Sequence, residues 1–565
     1  MNVDDICFEI IGSKFVAVDT ETDGNDVRDG SGYLTGLSIS TGRTSCYLPF
    51  RHGEGDNLIL GEWVAPLTAA LNSTTLVFHN AKFDIPSLAT AGIKVTGKFY
   101  DTMLMAHWIN ENWPDKSLDW LGKRLLGEGK SKSLLMDTIV KAYGWAAVPS
   151  QVMAPYAEQD ARLTLKLFNK LFPEFKKQGF DGELWDIEQR FLRLIITMES
   201  NGILIDQQVC KTQAERGRAC MEKCAANLGF NPGSPLQLGN YLLNDLKLPV
   251  VATTPGGKPC FDKNAMLQYD ELLEGLGNER ANAVSEYRGW SKATAVAYAG
   301  YPILCSFDGR LRPNYQLHGT VTGRLSCRKP NLQQIPRSSK KQWDGALKAC
   351  FIPKPDHELW EADYSQLELR LGAAYAGEKS LISEFAKLDS DVFARMAYEL
   401  GFSRGDTKTL TYTLQYGGGI NRLCTVFKVD EHRAATIRDT YFSAYPGFKS
   451  ITQRAARKAE SQGYIKLWSG RRRHFQHPRT ESFKAFNSVI QGGSAEIVKR
   501  SMLRLSEAGL SKYMLLQVHD SVVFEIPSDV VYEILPLIKG KMEDVNSDRD
   551  FGVRFAVQIK RWGES

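Results

Sequence analysis

The sequence predicts a multidomain protein of mixed α/β and α+β class, and three observations carry that expectation. Short, wholly apolar runs break off into carboxylates: Phe15 to Val18 leads into Asp19 and Glu21, and Leu76 to Phe78 leads into Asp84. Buried central strands that deliver acids at one end of a sheet write this pattern. Other segments, Ala161 to Leu171 and Glu188 to Gly202, carry apolar residues at helical spacing. Length is the third observation, since 565 residues leave room for two or three domains.

Composition is that of a globular chain, 43% hydrophobic and 24% charged. A net charge of +5 permits a nucleic-acid partner without specifying one, because a local basic stripe decides that. The ten cysteines are scattered without a CxxC pair, and Cys220 and Cys224 have no second pair to complete a zinc site. They read as reduced thiols. Met1 to Asp5 is acidic and lacks the basic and apolar segments of a signal peptide. No apolar run is long enough to span a bilayer, so a cytoplasmic protein is expected.

In the first 175 residues, Asp19 and Glu21 repel each other at a strand end and so require a compensating cation. Asp84 follows the second strand within His79-Asn80-Ala81-Lys82-Phe83-Asp84. A third group, Tyr156 to Asp160, precedes the helix Ala161 to Leu171. Taken singly, each group is equally a helix cap or a surface pair. Together they resemble the three exonuclease motifs of the DEDD superfamily, in its tyrosine-containing version. The resemblance implies an RNase H-like 3′–5′ exonuclease domain over residues 1–175. In it Asp19, Glu21, Asp84 and Asp160 hold two Mg²⁺ ions, for which Mn²⁺ substitutes, and Tyr156 orients the attacking water. Asp101 is either a further helper or a helix N-cap.

A helical arm follows. Glu188 to Gly202 places Phe191, Leu192, Leu194, Ile195 and Met198 on one face and ends at Asn201-Gly202. Asn231 to Leu238 is a turn-rich break before another helix, and Thr253 to Lys258 is a flexible loop by composition.

In the second half, Asp308 to Leu311 opens a strand region that reaches Thr320-Val321-Thr322-Gly323-Arg324-Leu325-Ser326, followed by Pro330 to Arg337. The run Glu361 to Arg370 reads as a strand turning into a helix, with Asp363 at the strand end and Glu368 on the helix. The threonines of Arg404 to Gly417 suit a strand. As a helix, however, the same segment aligns Arg404, Lys408 and Tyr412 on one face. Gly470 to Phe475, with three consecutive arginines, is either a solvated loop or a phosphate contact, and the second is favoured. Asn487 and Gln491 fall one helical turn apart. Met514 to Val518 and Val522 to Ile526 flank His519-Asp520-Ser521 as a hairpin presenting Asp520.

These segments resemble, in family order, the motifs of the family A DNA polymerases. Glu361 to Arg370 matches motif A nearly letter for letter, Arg404 to Gly417 matches motif B, and His519 to Ser521 matches motif C. The resemblance implies a right-hand polymerase domain over residues 176–565. Its thumb would span about 188–300, its palm about 301–370 and 475–565, and its fingers about 371–474. Asn231 to Leu238 would lie near the thumb tip, touching the template–primer backbone. Asp363, Asp520 and the Tyr364 backbone carbonyl are implied to hold a second pair of Mg²⁺ ions. Arg404 and Lys408 would neutralise the triphosphate, with Lys408 protonating the pyrophosphate. Tyr412 and Gln366 would meet the nucleotide, and Glu368 would exclude a ribose 2′-hydroxyl. Arg324, Gln333, Arg337, Tyr416, Asn487, Gln491 and His519 are the implied DNA contacts.

The implied partners are primer-template DNA, dNTPs, and a helicase, primase and single-strand binding protein. The arm leaves no room for a thioredoxin-binding insertion, and a monomer is expected. With no 5′-nuclease domain ahead of it, the plan resembles a bacteriophage replicase in a bacterial host cytoplasm, serving replication or repair. Tyr412 stands where many relatives have phenylalanine, which implies ready use of dideoxynucleotides. Three other positions depart from the family: Thr413 for glycine, Phe483 for an arginine that Lys484 would replace, and Ser521 for an acid. Catalysis is expected to survive the last, with altered metal affinity. The alternatives are a 3′–5′ exonuclease whose second half binds DNA without polymerising, opposed by Asp363, Lys408 and Asp520, and a non-catalytic scaffold, opposed by both carboxylate sets.

Overall fold

The computed structural model describes residues 3–24, 26–131, 134–254, 256–277, 279–335, 342–387 and 391–564. Arg337 lies outside the described residues. Phe15–Asp23 (β1), Tyr33–Ser40 (β2), Ser45–Pro49 (β3), Thr75–Phe78 (β4) and Phe99–Asp101 (β5) form one sheet in the order β3-β2-β1-β4-β5. Central β1 runs antiparallel to β2 and parallel to β4. Val16, Ala17 and Val18 are wholly buried, as befits a strand covered on both faces. Because β1 continues to Asp23, Asp19 and Glu21 sit two residues apart within the strand and share one face.

Ala81–Thr90 (α1) follows β4, and the 28-residue helix Ser150–Lys177 (α2) covers the sheet with Leu163, Leu167, Phe168 and Leu171. This corrects the expectation that Tyr156 and Asp160 precede a helix: both lie inside α2, one turn apart. Pro155 falls early in that helix and interrupts it by one hydrogen bond without ending it. Glu183–Asn201 (α3) buries Trp185, Phe191, Leu192, Ile195 and Met198, and the Trp185 indole N–H donates to the Phe99 carbonyl at 2.8 Å. Gly202 ends α3 at φ 57°, and a Cβ there would come within 2.9 Å of the Leu311 carbonyl oxygen.

The helical arm packs Gln207–Leu228 against Glu279–Ala293. It has its own core, in which Cys224, Leu228, Tyr241, Leu242, Tyr269 and Val284 meet. Strand pairing resumes in short pieces, Arg310–Leu311, Asn314–Gln316 and Ser326–Arg328. Thr320 to Leu325, expected within a strand region, lies outside the strands and includes a turn.

The second main sheet comprises His357–Tyr364 (β6), Met514–Val518 (β7), Ser521–Pro527 (β8) and Val557–Arg561 (β9). It is antiparallel throughout, in the order β7-β8-β6-β9. Leu367–Ala376 (α4), Arg404–Gln415 (α5) and Ala485–Glu507 (α6) complete this half. Helix won over strand for α5 because Thr407, Leu410, Thr411 and Leu414 bury one helical face. One apolar core runs from Val16 through Trp185 and Phe191 to Leu369, Ile497 and Val557, and so unites the two sheets. Among the described residues, no helix is long and apolar enough to cross a membrane.

The three-arginine run does not face solvent or an open groove. Arg473 pairs with Glu111 at 2.8 Å, with both side chains buried, and the His474 amide donates to the same carboxylate at 2.6 Å. Arg471 lies over the Trp108 ring, 5.0 Å from its centroid, and Arg472 donates to the Gln178 carbonyl at 3.2 Å. These arginines fasten the first sheet's domain to the second, and the expectation of a phosphate contact gives way to that role. Glu111→Ala is expected to cost about 3–5 kcal/mol by leaving Arg473 buried without its counter-charge. Urea unfolding checks this, and a midpoint equal to that of the parent chain contradicts it.

Candidate active sites

The first site is built where β1, α1 and α2 converge. Carboxylate oxygens of Asp19, Glu21 and Asp160 all lie within 4.8 Å of one another. Asp84 enters from α1, and its Oδ1 accepts hydrogen bonds from the Thr20 amide at 3.1 Å and hydroxyl at 2.8 Å. Its Oδ2, like Oδ1 of Asp160, is buried without a hydrogen-bond partner. Burial and then the Asp160 charge push the Asp19 carboxyl up to about 7. Burial and then the Asp19 charge hold Glu21 and Asp84 well above the usual carboxylate range.

So many acids cannot ionise together in an apolar site without cations. The two orphaned oxygens and the all-oxygen donor set fit hard divalent cations. Asp101 proves to be a cap: it accepts from the amides of Met103 and Leu104 at the start of Thr102–Ile109. It also accepts from the amides of Asn80 and Ala81, and so fixes the turn that presents Asp84.

Lys130 belongs to this site although no motif announces it. Its Nζ lies 2.5 Å from Asp160 Oδ2 and 5.0 Å from the Tyr156 ring centroid. The Lys130 amide donates to Asp119 Oδ1 at 2.9 Å, which holds the glycine-flanked turn in place. The only hint in sequence is a lysine after Gly129, in a Gly-Lys-Ser-Lys run too ordinary to stand out.

The charges make a pH prediction. The acids' folded-state pKa values exceed the unfolded ones, so the metal-free fold binds extra protons between about pH 4 and the Asp19 value of about 7. Their contribution to stability therefore declines as pH rises through that window, while His79 and His107, held below the usual imidazole value by burial, act in the opposite sense. Comparing melts with Mg²⁺ and with EDTA isolates the acids: the Tm gain from Mg²⁺ should be larger at pH 8 than at pH 5. A pH-independent gain contradicts this.

The second site lies at the end of the β6–β8 ladder. Asp363 pairs across it with Ser521, and the Tyr364 amide donates to the Asp520 carbonyl at 3.3 Å. His519 adopts φ 55°, which lets a two-residue turn join β7 to β8 and lift Asp520 to the tip. Arg324 lies 3.9 Å from Asp520 and pairs with Glu368, which also accepts from the Tyr416 hydroxyl at 2.6 Å. Burial raises the Glu368 carboxyl, and the Arg324 charge opposes the rise. Arg324, Gln333, His519 and Asp520 line one cavity, with Gln333 donating to the Gln517 side chain at 2.8 Å. Gln366 takes the left-handed conformation, φ 54°, at the entry to α4.

Helix α5 presents Arg404, Lys408 and Tyr412 as expected. Arg404 is held by Asp391 at 2.6 Å, Lys408 is exposed, and Tyr412 packs between Phe393 and Tyr416 at ring separations of 5.9 and 5.8 Å. The Thr413 side chain is accommodated by Gly418, where a Cβ would come within 2.6 Å of the threonine methyl. At Gly417 the tight contact is with backbone, the Phe483 carbonyl oxygen lying 2.6 Å from where a Cβ would stand. Lys484 is engaged with Glu481 at 3.0 Å. Asn487 and Gln491 are half-buried on α6. Among the described residues, Asp363 and Asp520 belong to no three-ligand His/Cys/Asp/Glu cluster of the spacing seen at the first site.

Comparison with known proteins follows the same division. Residues 205–564 match the family described as DNA polymerase family A, and residues 2–176 match a 3′–5′ exonuclease family. DNA polymerase I of Pseudomonas aeruginosa is 29% identical over 94% of this chain and 61% of its own length. DNA polymerase I of Borreliella burgdorferi is 26% identical over 100% of this chain and 64% of its own. The chain thus spans about three fifths of the curated relatives it matches. A solved structure of the POL domain of Pol1 from M. smegmatis, in complex with DNA primer-template and dNTP, superposes with a TM-score of 0.84 at 23% identity. It covers 99% of this chain and 98% of its own, and it shares the fold.

Proposed function

The chain belongs to DNA polymerase family A, and from that premise we propose that it is a DNA-directed DNA polymerase with its own 3′–5′ proofreading exonuclease. One observation carries the proposal: two carboxylate sites stand on separate sheets of one continuous core, one in each matched region. The substrates proposed are primer-template DNA and dNTPs, in the cytoplasm. The arm, about 188–300, is assigned as thumb, residues of about 371–474 as fingers, and the second sheet with its flanking segments as palm.

Divalent cations, by this proposal Mg²⁺, supply charge neutralisation and a more acidic hydroxyl or water when bound. At the second site Asp363 and Asp520 would hold them, with the Tyr364 carbonyl beside. Lys408, exposed on α5, would neutralise the triphosphate and give a proton to the departing pyrophosphate. Glu368, which accepts hydrogen bonds from Arg324 and Tyr416, would bar a ribose 2′-hydroxyl. Arg324, Gln333 and His519, lining one cavity with Asp520, suit the primer end. At the first site Asp19, Glu21, Asp84 and Asp160 would hold the cations while Tyr156 orients water on the terminal phosphodiester.

The test is a 5′-labelled primer-template incubated with the wild-type chain and Mg²⁺. Extension with dNTPs and shortening from the 3′ end without them support the proposal. Shortening in both conditions leaves an exonuclease alone.

A further inference from the structure

The ladder that carries Asp363 holds another acid for which the motifs give no role. Glu361 precedes Asp363 by two residues on β6, so the two side chains leave the same face of the sheet. Opposite them on β8 stand Val523 and Ser521, with Ser521 facing Asp363. The Ser521 hydroxyl lies 2.9 Å from Glu361 Oε1 and 2.9 Å from the Val518 carbonyl, so its one proton is shared between two acceptors. On the other side Lys348 Nζ donates to Glu361 Oε2 at 3.1 Å.

Position 521 is where the chain departs from the motif C pattern, offering a hydroxyl in place of an acid. The missing carboxylate is not lost from the neighbourhood. It lies one hydrogen bond away, on the adjacent strand. Two carboxylates at that separation would repel, whereas the Ser521 hydroxyl gives Glu361 a donor.

We propose that Glu361 takes over the work of the absent motif C acid: its charge, set between Lys348 and Ser521, holds the hairpin in register beside Asp363 and strengthens cation binding by Asp363 and Asp520. Glu361 is a positioning residue here, acting through Ser521 and through its field. The inference rests on the polymerase reading of the second site, and the test separates the two.

The test uses the full chain carrying Asp19→Ala and Asp84→Ala, so that only the second site reports, and measures Mn²⁺ binding by electron paramagnetic resonance beside the Mg²⁺ dependence of primer extension. Glu361→Gln is expected to weaken Mn²⁺ binding about tenfold and to raise the Mg²⁺ requirement in step. Lys348→Met breaks the same ion pair but leaves the negative charge, so it should shift both quantities the opposite way. The double variant Glu361→Val with Ser521→Glu returns an acid to the hairpin and should recover most of the affinity. Damage to packing alone would move Glu361→Gln and Lys348→Met together, since each breaks one pair. Shifts in the same direction, or no shift in either, overturn the inference. If the chain bearing only the two exonuclease substitutions does not extend a primer, the polymerase reading fails instead.

Discussion

Replacing Asp363 with alanine should abolish primer extension, by about a thousandfold or more, while 3′-end shortening proceeds at the wild-type rate. Asp363 is the last carboxylate on β6 before the chain turns into α4, and the ladder on both sides of it is made by backbone pairs with Ser521 and Gln558. Truncating the side chain leaves that pairing intact, so the loss is chemical and the Tm should hardly move. The proposed DNA contacts Arg324, Gln333 and His519 are untouched. The variant should therefore bind primer-template as the wild type does, and the defect should appear in the single-turnover extension rate.

The second large effect is expected at Asp84. Asp84→Ala should reduce 3′-end shortening by a similar factor and leave extension unchanged. Its stability consequence is less obvious. Asp84 is wholly buried, its carboxyl is held well above the usual range by burial and by the Asp19 charge, and one of its oxygens has no partner. Asp84→Asn keeps an acceptor for the Thr20 amide and hydroxyl but removes the charge. In EDTA at pH 8 that variant should melt higher than the wild type, whereas with Mg²⁺ the order should reverse. A site that trades stability for cation binding behaves this way. Unchanged shortening by Asp84→Ala, or a lower Tm for Asp84→Asn in EDTA, would count against the assignment.

Much of this was legible in the residue order because it depended on neighbours in the chain. Val16 to Val18 had to be a buried strand, so Asp19 and Glu21 had to emerge on one side of a sheet. The two apolar runs around His519-Asp520 had to pair, and their pairing put Asp520 in the turn between them. Helix α5 was legible once its charged face was preferred to the strand propensity of its threonines.

What was not legible depended on partners far away. Arg473 reads as a solvent-seeking cation until Glu111, more than 350 residues earlier, is placed against it. Lys130 reads as a loop residue until α2 brings Asp160 to it. Thr413 reads as a departure until Gly418 is seen to leave its methyl space. Glu361 reads as one more strand acid until the ladder sets it against Ser521. The start of α2 was hidden by Pro155, because a proline within the first turns of a helix suggests a boundary that the packing of Met153 and Ala157 overrides.

Two independent carboxylate sites with opposite effects on a primer end, proposed for one chain, should be separable by substitution. Crossing the two substitutions on one 5′-labelled primer-template in Mg²⁺, with and without dNTPs, tests this. Asp363→Ala should shorten but never extend, Asp84→Ala should extend but never shorten, and the double variant should do neither. Extension by Asp363→Ala, or loss of both activities in either single variant, would contradict it.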